Sequence, residues 1–263
     1  MSELPINSDH LLEVRNLTRR FDGVVAVSNL NLNVRQGEIK AVIGANGAGK
    51  TTLFNVIAGV TPPSNGSVTF SGLDITSLPP FRRAQLGISR TFQNLQIFKD
   101  MTVLENVMVG HHVHTASGTF QALVRSAASR REEREIRAAS LQSLDRFGLA
   151  DKAGWPAGSL SFGESKILEI VRSLASEPQL LLLDEPAAGV NHAAAERVAQ
   201  IIKDLNKGGL TVLLVEHNMK LVMNISDSIM VMDHGQRIAE GTPKDVRHDP
   251  KVLAAYLGEP LHA

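Results

Sequence analysis

The residues GANGAGKT, 44–51, constrain this chain more than any other stretch. They match the pattern G-x-x-x-x-G-K-[ST]. They follow the apolar run EIKAVIG and open KTTLFNVIAG, whose spacing predicts a helix over 50–59 with Gly59 as its stop. A glycine-rich turn between a strand and a helix can aim successive backbone N–H groups inward, at the positive end of the helix dipole. Gly44, Gly47 and Gly49 permit the turn, and Ala45, Asn46, Ala48 and Thr52 complete the cradle. Lys50 can bridge β- and γ-phosphate oxygens, and the Thr51 hydroxyl can hold Mg²⁺. A random chain of this length would match on the order of one time in a hundred, and the strand–loop–helix context lowers that further. The loop therefore predicts a nucleotide site.

The rest of the chain must supply a fold around that loop. Residues 11–43 alternate short apolar runs with polar breaks and read as strands, the first of them antiparallel and partly exposed. SVTFSG and GISRTF read as further strands. Residues 93–160 change character: TVLENVMVG and RREEREIRAASLQSLDRFG have helical spacing, and the mixed Arg and Glu of 130–137 suit a solvated helix face. Alternation then returns, with helix 164–176, strand 180–185, helix 192–206 and strand 210–216. Wholly apolar strands of this kind belong in a parallel sheet covered on both faces. SIMVMDHGQRIAEG reads as a hairpin turning at His234-Gly235. Thr242-Pro243-x-Asp245 and Asp249-Pro250 start two closing helices, and Gly258 stops the last. The expected fold is α/β: a P-loop NTPase (RecA-like) core with a parallel sheet, an N-terminal antiparallel β subdomain and an α-helical insertion subdomain. Its expected division is one domain over 8–258. Residues 8–92 and 161–241 form the core with the β subdomain, 93–160 the helical subdomain, and 242–263 a C-terminal extension.

LLLLDE places Asp184 and Glu185 at the carboxyl end of a buried strand, where open α/β sheets bind ligands. Asp184 can act on Mg²⁺ directly or through water, and Glu185 can accept a proton from, or orient, an attacking water. Unpaired charge at such a place would be costly in a purely structural role. His217 ends the neighbouring strand and can hydrogen-bond the γ-phosphate and the water. Gln93, where strand gives way to helices, can contact Mg²⁺ or water. Phe21, in the turn-like RRFDG, can stack on a nucleobase; as one of nine phenylalanines it would otherwise belong to the core.

SLSFGESKILEI, 159–170, holds Ser161-x-x-Glu164 ahead of an apolar-periodic run, which is a capping box. A capped helix start also presents N–H groups suited to phosphate.

The order of these pieces carries a resemblance. Phe21, loop 44–51, Gln93, LSFGE at 160–164, LLLLDEP at 180–186, AAGVN at 187–191 and His217 follow one another as in an ABC-transporter nucleotide-binding subunit, over roughly residues 11–258. RTFQN, the aromatic Phe162, DEPAAGVN, VEHNM and the ending RIAEGTPKDVRHDPKVLAAYLGE resemble more closely the ATP-binding subunit of branched-chain (hydrophobic) amino acid importers. Asn191 fits that branch, whereas Glu164 stands where Gln is common. The resemblance implies ATP and Mg²⁺ as ligands. It implies a second ATP-binding subunit closing head to tail, so that Ser161, Gly163 and Glu164 meet the partner's ATP. It also implies two membrane permease subunits, a separate solute-binding protein, and a place at the cytoplasmic face of the inner membrane. It implies in-line attack of water on the γ-phosphate, with Lys50, Glu185 and His217 in catalysis and Thr51, Gln93 and Asp184 on the metal. Residues 94–107 read as the permease contact, against ordinary helix packing. A lipopolysaccharide-export ATPase is the nearest rival; a non-transport ABC ATPase is more distant.

The bulk numbers fit this reading. Twenty-seven basic residues balance twenty-seven acidic ones, so charge predicts no nucleic-acid partner. Without cysteine there are no disulfides, Cys-zinc sites or thiol catalysis. MSELPINSDH lacks a secretory pattern, and no run approaches the length of apolar residues that spans a bilayer.

Overall fold

The computed structural model describes residues 10–91, 96–111 and 127–257. In chain order the elements are β1 (His10–Phe21), β2 (Val24–Arg35), β3 (Ile39–Gly44), α1 (Lys50–Ile57), β4 (Asn65–Phe70), β5 (Leu73–Asp74), α2 (Pro80–Gln85) and β6 (Ile88–Arg90). Then come α3 (Val103–Gly110), α4 (Ala127–Arg146), α5 (Phe162–Leu174), β7 (Leu180–Asp184), α6 (His192–Lys207) and β8 (Thr211–Val215). The chain closes with α7 (Met219–Ile225), β9 (Ser228–Asp233), β10 (Gln236–Gly241), α8 (Pro243–His248) and α9 (Pro250–Leu257).

Two sheets form. One runs β2-β1-β4-β5 and is antiparallel; the other runs β10-β9-β3-β8-β7-β6. In the second, β6, β7, β8, β3 and β9 are parallel, and only β9–β10 is antiparallel. Its central strands are predominantly apolar because both faces are covered, and Lys40 on β3, whose ammonium donates to Glu240, is a buried charge among them. Ile39, Ala41, Ile43, Leu181, Leu183, Val212 and Leu214 point into a core under α5, α6 and α7. Their neighbours Val42, Leu180, Leu182, Leu213 and Val215 point the other way, into a core shared with α1 and the antiparallel sheet. Helix α1 is thus wedged between the sheets, with Leu53, Phe54, Val56 and Ile57 fully buried.

Strand order fixes the site. β8 lies between β3 and β7, so the segments leaving these three strands share one edge. Those segments are the loop after Gly44, the pair Glu216-His217 and the residues after Asp184. The β9–β10 turn supports the same edge: Gly235 N–H donates to Ala48 O at 3.1 Å and Ser28 N–H donates to Gly235 O at 2.9 Å. His234 and Gly235 both have positive φ, 43° and 77°, as a tight hairpin turn requires.

Several boundaries differ from the sequence reading by one or two residues: the helix read as 50–59 ends at Ile57 and the one read as 192–206 at Lys207. The strand of 180–185 ends at Asp184, because Glu185 adopts φ 51° and leaves the ladder. The helix read as 164–176 runs 162–174, since Ser161 is its cap. The strand read as 210–216 is 211–215. Among the described residues, no helix is long and apolar enough to cross a membrane.

Candidate active site

The start of α1 has no side-chain cap. Its N-cap is Gly49, at φ 96° and ψ 3°, and its first turn holds no acid. A Cβ on Gly49 would lie 2.3 Å from Ala26 O, so only glycine allows β2 to pass this close. The first N–H groups of α1 are therefore not taken up by a capping side chain. Lys50 is buried and its ammonium donates to Gly44 O at 2.8 Å and Ala45 O at 2.9 Å. Burial lowers its pKa from the ordinary lysine value; the charges of Glu185 and Asp184 oppose that shift.

Residues 46–52, Ala26, Glu185 and His217 line one cleft of about 300 Å³. Glu185 Oε1 lies 3.0 Å from His217 Nε2. The left-handed φ of 51° at Glu185 is unusual for a side-chain-bearing residue and costs of order 1–3 kcal/mol. Its backbone is fixed on both sides: Glu185 N–H donates to Val215 O at 2.9 Å, and Ala188 N–H donates to Glu185 O at 3.1 Å. An acid and a histidine are thereby held at one mouth of a cleft whose floor is the glycine-rich loop.

Asp184 sits one residue deeper, 1% exposed. Arg90 Nη2 donates to its Oδ2 at 2.9 Å, and Arg90 Nη1 donates to Asn55 Oδ1 on α1 at 2.7 Å. Asp184 Oδ1 is buried with no hydrogen-bond partner among the described residues. A buried carboxylate oxygen left open in this way is costly unless something fills its acceptor position. One carboxylate and the Thr51 hydroxyl suit Mg²⁺, which takes few protein ligands and completes its shell with phosphate oxygens and water. Gln93, the third residue read as a metal contact, lies outside the described residues.

The remaining candidates lie elsewhere. Phe21 ends β1, is 42% exposed, and carries the Arg19 guanidinium 4.3 Å from its ring centroid; it does not line the cleft. Ser161, Gly163 and Glu164 open α5 and are likewise outside the cleft. Ser161 Oγ accepts Glu164 N–H at 3.3 Å, and Glu164 Oε2 accepts Ser161 N–H at 3.0 Å and Oγ–H at 2.8 Å. The other Glu164 oxygen accepts from the Lys152 ammonium. That hydrogen bond, with the Ser161 contacts behind it, holds the Glu164 carboxyl below its ordinary pKa. A Cβ on Gly163 would stand 3.1 Å from Ala194 Cβ, which brings α5 close to α6. The Phe162 ring lies over Gly189 in the loop after the acidic strand. Asn191 caps α6, accepting Ala194 N–H at 2.9 Å.

Sequence reasoning missed three residues here. Arg90 and Glu216 are buried polar side chains that lie inside the quoted RTFQN and VEHNM without a role having been read for them, and Lys152 precedes LSFGE. Only the contacts made in the fold distinguish them from other charged residues.

The ABC transporter family model matches residues 27–188, and the model for the branched-chain amino acid ATP-binding cassette transporter matches residues 236–262. The chain is 42% identical over 253 residues to the high-affinity branched-chain amino acid transport ATP-binding protein LivG of Salmonella typhimurium, covering 96% of this chain and 99% of that one. It is 42% identical over 250 residues to the corresponding protein BraF of Pseudomonas aeruginosa, covering 95% and 98%. The fold superposes with a TM-score of 0.83 on a nucleotide-free ATP-binding cassette from an ABC transporter, at 35% identity, covering 95% of this chain and 100% of that one. The same score relates it to the ADP conformation of such a cassette, at 35% identity, covering 95% and 99%. Loop, acidic strand end and histidine occupy one edge of a fold shared along the whole length, and the chain belongs to the ABC transporter ATP-binding family.

Proposed function

We propose that this chain hydrolyses ATP to power import of branched-chain amino acids through partner permeases. The 3.0 Å Glu185–His217 pair at the mouth of the cleft formed by residues 46–52 carries the chemical part of the reading. The loop N–H groups and Lys50 bind the phosphates and offset the charge that develops on the γ-phosphoryl group. Glu185 takes or orients the proton of the attacking water, and His217 supports Glu185 and the γ-phosphate. Mg²⁺, when bound, would polarise the phosphate oxygens, with Thr51 and Asp184 as its protein ligands and Gln93 beside it. Phe21 stacks on adenine, with Arg19 already packed on its other side. By the same reading Glu185→Gln still binds ATP but turns it over at least about 100-fold more slowly. Single-turnover hydrolysis against nucleotide affinity decides; wild-type turnover removes Glu185 from the role.

The cargo class rests on LivG and BraF, whose names specify branched-chain amino acids and which match along nearly the whole chain. That favours import over lipopolysaccharide export. Ser161, Gly163 and Glu164 serve the ATP of a second ATP-binding subunit, since they lie away from this chain's own loop. The subunit sits at the cytoplasmic face of the inner membrane through two permeases, fed by a solute-binding protein. Phe98 and Met101, exposed near the start of α3, support a permease contact over 94–107, the described part of which begins at Gln96. Crosslinks from this segment reaching only the other ATPase subunit would refute that contact. Cargo-stimulated ATPase activity, measured after co-purification with the membrane partners, tests the assignment as a whole.

A further inference from the structure

Glu216 stands next to His217 and is 2% exposed. Its carboxylate accepts three backbone N–H groups. Ala187 N–H donates to Oε1 at 2.7 Å, while His217 and Asn218 N–H donate to Oε2 at 3.0 and 3.2 Å. The first donor belongs to the turn that follows Glu185; the other two belong to the segment that follows β8. Among the described residues, the main-chain hydrogen bond that joins these two segments is that of Glu185 N–H to Val215 O. The contacts close a ring: Glu185 to Ala187 along the chain, Ala187 to the Glu216 carboxylate, Glu216 to His217, and His217 Nε2 back to Glu185 Oε1.

We infer that Glu216 is a positioning residue that clamps the turn after Glu185 to the backbone of His217, and so sets the Glu185–His217 geometry. The inference rests on the reading of Glu185 and His217 as the hydrolytic pair. Two chemical facts make a carboxylate necessary. All three donors are backbone N–H groups, so the side chain must accept at both oxygens. Once buried, such donors need partners, and charge-assisted acceptance is stronger than neutral acceptance. The isosteric amide can accept at one oxygen only. Its NH₂ must then face either Ala187 N–H or the pair from His217 and Asn218, and that segment is released. The loop of 187–191, which reaches the N-cap of α6 at Asn191 and touches Phe162 at Gly189, is tied by the same carboxylate to the histidine. A displacement of that loop is thereby passed to His217.

The test uses the full chain with Mg-ATP. Glu216→Gln should lower kcat about 10- to 100-fold while nucleotide affinity, from titration of a fluorescent ATP analogue, stays within about twofold. In single turnover on a His217→Ala background the same substitution should cost less than about a further twofold, because the residue it positions is gone. Losses that multiply in the double variant, or a Glu216→Gln chain with wild-type kcat, overturn the inference. Should the variant fail to fold, the unmutated chain still decides. The Ala187 amide lies outside any helix or strand, and the clamp requires it to resist hydrogen exchange; exchange at the rate of an open loop overturns it. Glu185→Gln run in parallel separates the two readings. If that chain hydrolyses ATP normally, the assignment of the pair fails. If it is inactive while Glu216→Gln is not, only the clamp fails.

Discussion

Helices α1 and α5 begin with the same physical problem and solve it in opposite ways. Each has N-terminal N–H groups without intrahelical partners and the positive end of a dipole. At α1 the cap is Gly49, no side chain accepts from the first turn, and no acid lies nearby in sequence. At α5 a complete capping box closes the turn through Ser161 and Glu164, and Lys152 holds the remaining carboxylate oxygen. Lys152 is itself stacked, its ammonium 5.3 Å from the Trp155 ring. At α1 no side chain accepts from the helix start, whereas at α5 the N–H groups of Ser161 and Glu164 are accepted by the side chains of the capping box. The negative charge of Glu164, unexpected beside a phosphate site, is matched by a cation and aimed back at the cap.

Helix α1 tolerates a bare start because its other end is clamped. Buried Arg83 donates to Val56 O at 2.7 Å and Ile57 O at 2.8 Å, and also to Leu78 O and Thr76 O. Burial pushes its pKa down to about 10, so it stays charged at neutral pH. Arg83→Ala leaves buried carbonyls unmatched and a cavity, and should cost about 3 kcal/mol of unfolding free energy, read from denaturant titration. Lys50→Ala should weaken ATP binding about 10- to 100-fold, by loss of a charge-assisted contact. Its effect on folding stability should be smaller than that of Arg83→Ala, because loss of the contacts to Gly44 O and Ala45 O is offset by removal of a charge that burial disfavours. Ser161→Ala reverses that pattern. It should lose about 1 kcal/mol of stability, with ATP affinity of the isolated chain unaltered in the same titration.

Glu164 makes the capped start of α5 sensitive to pH. Its carboxyl pKa is lower folded than unfolded, through Lys152 first and Ser161 next. Its stabilisation is therefore complete above the unfolded carboxylate pKa and lost as pH falls through the lower folded value. Glu164→Gln should flatten stability against pH in that acid window by less than about 1 kcal/mol, since the group is partly exposed. It should not strengthen ATP-driven pairing, because the charge is already matched; a marked increase would show that it acts as a brake.

Much of this was legible in the sequence because periodicity and local chemistry determine it. Runs such as LLLLD could only be strands covered on both faces, and Thr242, Ser161 and Asn191 announce their helices through caps. What stayed hidden depends on contacts between segments far apart in the chain. Arg90 meets Asp184 across 94 positions, and Glu216 meets Ala187 across 29. No spacing rule links such pairs; the strand order β3-β8-β7 brings them together. Lys152 lies only 12 positions from Glu164, yet the irregular turns of 150–159 decide that contact, not a helical repeat. The reach of Phe21 to a base, and the metal contact of Gln93, rest on family resemblance.

One chain thus carries an open phosphate site at α1 and, at α5, a capped half-site that needs a second subunit. Amide hydrogen exchange of the isolated chain, with and without Mg-ATP, tells the two helix starts apart. New protection is expected across residues 44–52 and none at 162–165 while the chain stays monomeric. Equal nucleotide-induced protection at both helix starts in the monomer would contradict that difference.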